Sequence, residues 1–128
     1  VVYKFYPLDP ACNPFVGHSM HPVSCAAAEA ACCASVQGKF WAYHDALFSR
    51  QDDLSESNFE GLAQSVQLDV SQFNACRFDS RTREEIAKDI AEGNRLGVNA
   101  TPSLFVNGQR YSGPLTLSGL KDAIHLVQ

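Results

Sequence analysis

The sequence has 128 residues, which suits one domain with a real hydrophobic core and leaves no room for two. With 45% hydrophobic residues it has the composition of a globular protein, so disorder is not expected. The net charge of −4, with no Lys/Arg cluster, argues against nucleic acid or an anionic membrane as partner. No apolar run approaches the roughly 20 residues needed to span a bilayer, so membrane insertion of this domain is not expected.

Residues 1–6, Val1-Val2-Tyr3-Lys4-Phe5-Tyr6, are rich in β-branched and aromatic side chains and are stopped by Pro7. They read as a strand. A strand-like run at the first position suggests processing or truncation rather than a natural start. Residues 8–22 hold three prolines, a glycine and two Asp/Asn turn formers, the texture of an irregular connection.

Ser24 then stands as an N-cap before an alanine-rich helix through Val36, narrow enough for close packing and broken at Gln37-Gly38. Phe40, His44 and Leu47 recur at helical spacing, flanked by Trp41 and Phe48. A further helix opens at Leu54-Ser55 and gathers Phe59, Leu62, Ala63 and Val66 on one face. Asp69 with Gln72 has the form of a capping box for a short helix presenting Val70, Phe73 and Cys76. A longer helix over 82–96 carries Ile86, Ile90 and Gly93 on one side and stops at Gly97.

The texture changes after Gly97. Residues 101–106 predict a strand, Asn107-Gly108 a tight hairpin turn and residues 109–112 the return strand. Leu117, Leu120, Ile124 and Val127 form the apolar stripe of a closing helix.

Three segments in this order resemble the DsbA-like branch of the thioredoxin superfamily. They are Phe5-Tyr6-Pro7-Leu8, the stretch from Cys33 through Phe40-Trp41 to Phe48, and Leu96 to Gly108 with Thr101-Pro102 inside it. The resemblance covers essentially the whole chain. It implies an α/β, thioredoxin-like fold with a large helical insertion: residues 1–20 and 98–128 make the sheet portion, and 24–96 the helical block. It also implies a cis Thr101–Pro102 bond in a loop facing the reactive disulfide. Lacking an N–H, Pro102 cannot donate there, and Thr101 would offer its main chain to an extended peptide substrate.

The implied activity is thiol–disulfide exchange on extended polypeptides in a periplasmic or otherwise extracytoplasmic compartment. Electrons would pass to a membrane or soluble redox partner, with no organic cofactor or metal. The five cysteines are at 12, 25, 32, 33 and 76, however, and no Cys-x-x-Cys is among them. In the family that motif follows an earlier strand, lying between those matching residues 1–6 and 103–106. Both are expected upstream of Val1. Without that strand, a buried sheet would keep unpaired edges, so residues 1–128 alone should not complete the standard fold.

Cys12 and Cys25 resemble a structural disulfide pair of some of these domains, closing a loop of about 13 residues worth ~3 kcal/mol in the chain-entropy model. Cys33 and Cys76 sit on apolar helix faces, as small hydrophobes or as a second bridge. An odd count leaves Cys32 over.

Two rivals stand beside the enzyme. One is a thioredoxin-like binding module without catalysis. The other is a Zn²⁺ or copper site built from Cys12, His18, His21 and Cys25, with Met20 adjacent, which oxidation of the cysteines would abolish. His44, set among Phe40, Trp41 and Leu47, reads as a core or boundary histidine rather than a catalyst.

Overall fold

The computed structural model describes residues 1–127, with side chains as far as Ile124; the side chain of Val127, expected on the last helix's apolar stripe, lies outside the described residues. The chain divides into two compact units, Val1–Leu96 and Gly97–Gln128.

The first unit is a helical bundle. Its elements are α1 (Ser24–Val36), α2 (Phe40–Ser49), α3 (Asn58–Ser65), α4 (Val70–Arg77) and α5 (Ser80–Arg95). Helix α1 is the centre, packing against α2, α3, α4 and α5. Its alanines make this possible, because a thin helix lets neighbours approach on several sides. Ala30, Ala31, Cys33 and Ala34 join Tyr43, Phe59, Leu62, Ala63, Leu68 and Phe73 in the main core. Ala28, Ile86 and Ile90 form a second cluster with Phe5, Tyr6 and Cys12 at its margin.

Local chemistry sets the helix ends. Asp69 accepts a hydrogen bond from the Gln72 amide at 2.9 Å and caps α4. Asp79, not foreseen as a cap, accepts from the Arg81 amide, so α5 begins at Ser80 rather than near Thr82. Ser24 does not cap α1. That position falls to Val23, the Ser24 amide bonds to the His21 carbonyl, and the Ser24 hydroxyl is buried without a partner among the described residues. The Leu54-Ser55 start also shifts: Glu56 and Ser57 form a turn closed by the Asn58 amide on the Ser55 carbonyl, Asn58 Oδ1 accepts from the Ser55 amide and hydroxyl, and α3 begins at Asn58.

Residues 1–6 differ most from expectation. They form no strand ladder among the described residues. The Phe5 amide is instead satisfied by Asp89 Oδ2 of α5 at 3.0 Å, and Lys4 pairs with Asp89 and Glu92 at 3.7 and 3.3 Å. The β propensity is present, but a strand needs a neighbouring backbone, and these helices offer only side chains.

The second unit consists of β1 (Phe105–Val106), β2 (Gln109–Arg110) and α6 (Leu117–Val127). The strands are antiparallel, with Phe105 opposite Arg110 and Val106 opposite Gln109. Asn107 and Gly108 both have positive φ, 50° and 82°, as a two-residue hairpin turn matching strand twist requires. Both strands are shorter than the sequence suggested. The Leu104 carbonyl still accepts from the Tyr111 amide at 2.8 Å just beyond the ladder. Helix α6 packs on β1. No helix among the described residues is long and apolar enough to cross a membrane.

Candidate functional site

Four of the five cysteines are bonded. Cys12 joins Cys25 across a sequence separation of 13, with Cα atoms 6.0 Å apart. Cys33 joins Cys76 across 43 residues, at 5.7 Å, and so ties α1 to α4. The first bridge holds the irregular loop to the start of α1. That loop is further pinned by Asn13, fully buried, which donates through Nδ2 to the Pro7 carbonyl and accepts from the Phe15 amide. The second bridge lies in the core, where Thr82 Oγ1 stands 3.8 Å from the Cys33 sulfur and 3.4 Å from that of Cys76, while donating to the Cys76 carbonyl.

These pairings remove the proposed Cys12/His18/His21/Cys25 metal set, because a disulfide leaves no thiolate to bind a cation. His18 and His21 are exposed in the loop, and Met20 is 57% exposed. No group of three or more His, Cys, Asp or Glu side chains is placed to hold a metal among the described residues.

Cys32 is the free thiol, half-buried on α1. Burial pushes its pKa up, and the carboxylates of Glu85 and Asp89 add to the effect. A thiol held in its protonated form is a poor nucleophile, so Cys32 has the character of a structural cysteine.

In the second unit the Thr101–Pro102 peptide bond is cis, and both residues are exposed. The loop is tied locally: Ser103 Oγ donates to the Ala100 carbonyl. Arg110 donates to the Gly97 carbonyl at 2.8 Å and lies over the Phe105 ring at 5.6 Å. Backbone groups of an exposed loop beside a short hairpin are accessible to an extended peptide.

Of two further arrangements in the first unit, the sequence reading missed the first and saw only the α2 part of the second. Arg77 is 6% exposed and lies over the rings of Phe59, Phe73 and Phe78, 5.0–5.5 Å from their centroids, while pairing with Glu56. Its Nε has no partner among the described residues. This site is structural, since aromatic faces and one carboxylate offset the desolvation of the guanidinium. The second is a run of rings through Phe40, Trp41, His44 and Phe48 of α2, joined by Tyr3 from the N-terminal segment. Beside it a cleft of about 540 Å³ is lined by Lys39, Phe40, Trp41, Val66 and Gln67, among others. The Lys39 ammonium there is engaged by the carbonyls of Val66 and Gln67, at 3.0 and 2.9 Å, closing the C-terminal end of α3.

A thioredoxin family profile matches residues 14–125, and the chain belongs to that family. Its relatives include a protein of Salinispora tropica named Na(+)/H(+) antiporter NhaA 3, 37% identical over 105 residues, which are 82% of this chain and 16% of that protein. A Mycolicibacterium gilvum protein named Na(+)/H(+) antiporter NhaA 1 is 33% identical over 125 residues, 96% of this chain and 19% of its own. A Nitrosospira multiformis protein named Na(+)/H(+) antiporter NhaA is 35% identical over 88 residues, 68% and 14% respectively. The chain thus spans less than a fifth of the length of these curated relatives. No solved structure matches it at a significant level.

Proposed function

We propose that this thioredoxin-family domain is DsbA-like and serves thiol–disulfide exchange on extended polypeptides outside the cytoplasm. The observation that carries the reading is a thioredoxin-family chain with four cysteines in two disulfides, which persist in oxidising compartments. Both bridges are structural. They span 13 and 43 residues and flank no low-pKa thiol, and Cys32 is held protonated. The reactive Cys-x-x-Cys is therefore assigned to polypeptide ahead of residue 1. Thr101 and Pro102 would present main chain to the substrate, and a membrane or soluble redox partner would take up the electrons.

The test is a form of the protein carrying an upstream strand and that motif, assayed on a dithiol peptide. Thr101→Arg should raise the peptide KM by about tenfold, because the long side chain crowds the incoming strand and pushes it off the Thr101 main chain, at a cost of roughly one hydrogen bond. An unchanged KM would remove Thr101 from the groove.

A second reading draws on the relatives. They are named as cation/proton antiporters, and this chain corresponds to a small part of each. A non-catalytic thioredoxin-like module attached to a membrane transporter, binding peptide without exchanging disulfides, fits the lack of Cys-x-x-Cys within the 128 residues. Peptide binding without turnover by the longer form would favour it.

A further inference from the structure

The loop between Cys12 and α1 carries three ligand-type side chains that the fold leaves unused. His18, Met20 and His21 are all exposed, and Met20 is the one methionine of the sequence. Among the described residues neither imidazole makes a hydrogen bond, ion pair or ring contact, and the thioether accepts no hydrogen bond. Their backbone, by contrast, is held. The Cys12–Cys25 bridge closes the loop, and Asn13 ties its start to the Pro7 carbonyl. The Met20 amide bonds to the Leu8 carbonyl at 3.2 Å, and the Ser24 amide to the His21 carbonyl at 2.9 Å. A fixed main chain with free donor groups needs little further ordering when a ligand arrives.

The three donors are close along the chain. His18 and His21 stand three positions apart, at most about 10 Å of even fully extended backbone. Extended backbone would put residues 18 and 20 on one face and 21 on the other. Here the chain bends at Gly17–His18 and again at Met20–His21, so that alternation does not hold His21 away from the other two. The donor set selects the ion. Imidazole suits zinc and copper alike, but a thioether is a soft ligand that favours copper(I). Structural zinc sites take four ligands from thiolate, imidazole and carboxylate. The nearby thiolates are locked in the Cys12–Cys25 bridge, and no Asp or Glu joins the two histidines in a ligand group among the described residues. Hard cations likewise lack the oxygen ligands they require.

We propose that His18, Met20 and His21 form a copper(I) site, with two imidazole nitrogens and one thioether sulfur as ligands. Its donors differ from the four-residue set that the disulfide removes, since Met20 stands in place of both cysteines. The ion enters and leaves as copper(I), so binding makes three coordinate bonds, moves no electron and leaves both disulfides intact. Imidazole and thioether do not pair into disulfides, so the site persists under the oxidising conditions that keep Cys12 and Cys25 bridged. It draws on no residue of the Thr101–Pro102 loop and stands whether the domain exchanges disulfides or only binds peptide.

The probe is copper(I) itself, generated with ascorbate and presented as its coloured bicinchoninate complex. The full chain is titrated against it in a Cys32→Ser background, because a free thiol is also a copper(I) ligand. Mass spectrometry checks that both disulfides survive the ascorbate. The chain should withdraw one copper(I) from the bicinchoninate. Met20→Leu, which keeps the bulk of the side chain, and His18→Ala with His21→Ala should each weaken binding by at least about tenfold, the least that outer-shell partners of metal ligands usually contribute. Protein whose Met20 has first been oxidised to the sulfoxide should bind like Met20→Leu. All three side chains are exposed, so circular dichroism should match the parent throughout. Zinc should bind more weakly than copper(I), with an affinity that Met20→Leu leaves unchanged. Failure to withdraw copper(I), parental affinity in Met20→Leu or in the double-histidine variant, or zinc bound as tightly as copper(I) overturns the site.

Discussion

Replacing Cys33 and Cys76 together by alanine removes the tie between α1 and α4, and its cost follows from chain topology. The bridge spans 43 residues, against 13 for Cys12–Cys25. In the chain-entropy model these separations correspond to about 4 and about 3 kcal/mol at room temperature. Cys33 is only 1% exposed and packed in the main core, so losing its sulfur adds roughly 1 kcal/mol of lost contact. Cys12 is half-buried at the margin of the smaller cluster and adds less. The Cys33/Cys76 double variant should therefore lose about 5 kcal/mol and the Cys12/Cys25 variant about 3 kcal/mol, both large beside the roughly 5–15 kcal/mol of an ordinary domain. Urea unfolding followed by circular dichroism is the assay, in a Cys32→Ser background to prevent disulfide shuffling. The m-value should rise in both variants, because an unbridged unfolded chain exposes more surface. A loss below about 1 kcal/mol for the Cys33/Cys76 variant, or a clear reversal of the order, would refute the reasoning.

Other expectations follow from single contacts. Asp69→Ala should cost about 1 kcal/mol through loss of the α4 cap, read by the same denaturation, whereas Asp69→Asn should cost little. Gly108→Ala, at a φ of 82°, should weaken the hairpin by about 1 kcal/mol, seen as faster exchange of the Tyr111 amide, which bonds to Leu104. Cys32 should react with iodoacetamide at neutral pH far more slowly than a free model thiol, and speed up on unfolding, because its raised pKa belongs to the folded state. Asp79 has its carboxyl pulled down to about 2, foremost by its hydrogen bond from the Arg81 side chain. A depressed folded pKa gives stability that is present above the unfolded value near 4 and lost as the pH falls toward 2. Asp79→Asn should therefore flatten the acid limb of the stability curve between those values.

The helices of the first unit were legible because their signals are local: periodic apolar side chains, a capping Asp69 and the break at Gly38. The Asn107-Gly108 turn was legible for the same reason, since few other residue pairs adopt two positive φ angles. Residues 1–6 were misjudged because β-branched and aromatic side chains report propensity, while a ladder depends on a partner strand. Asp79 was passed over as a cap because no Glu or Gln three residues on completed the box. The burial of Arg77 among Phe59, Phe73 and Phe78 was legible only in part: Phe73, one turn earlier on α4, and Phe78, the next residue, are its local neighbours, but Phe59 is brought over the guanidinium only by packing of α3 on α4. For the same reason His44 read as an ordinary boundary residue. Its neighbours on α2 are visible at helical spacing, but the Tyr3 ring arrives from 41 positions earlier in the chain.

The central proposal is that the thiol chemistry lies in polypeptide ahead of residue 1 and that the cysteines within the 128 residues are structural. It is tested most directly by comparing two proteins on one fluorogenic dithiol peptide: residues 1–128 alone, and a form preceded by a strand and Cys-x-x-Cys, with Cys32 replaced by serine in both. Exchange is expected only from the longer form, and should vanish when the first cysteine of its motif becomes serine. Rapid turnover by residues 1–128 alone would contradict the proposal and return the chemistry to the Cys12–Cys25 and Cys33–Cys76 bridges.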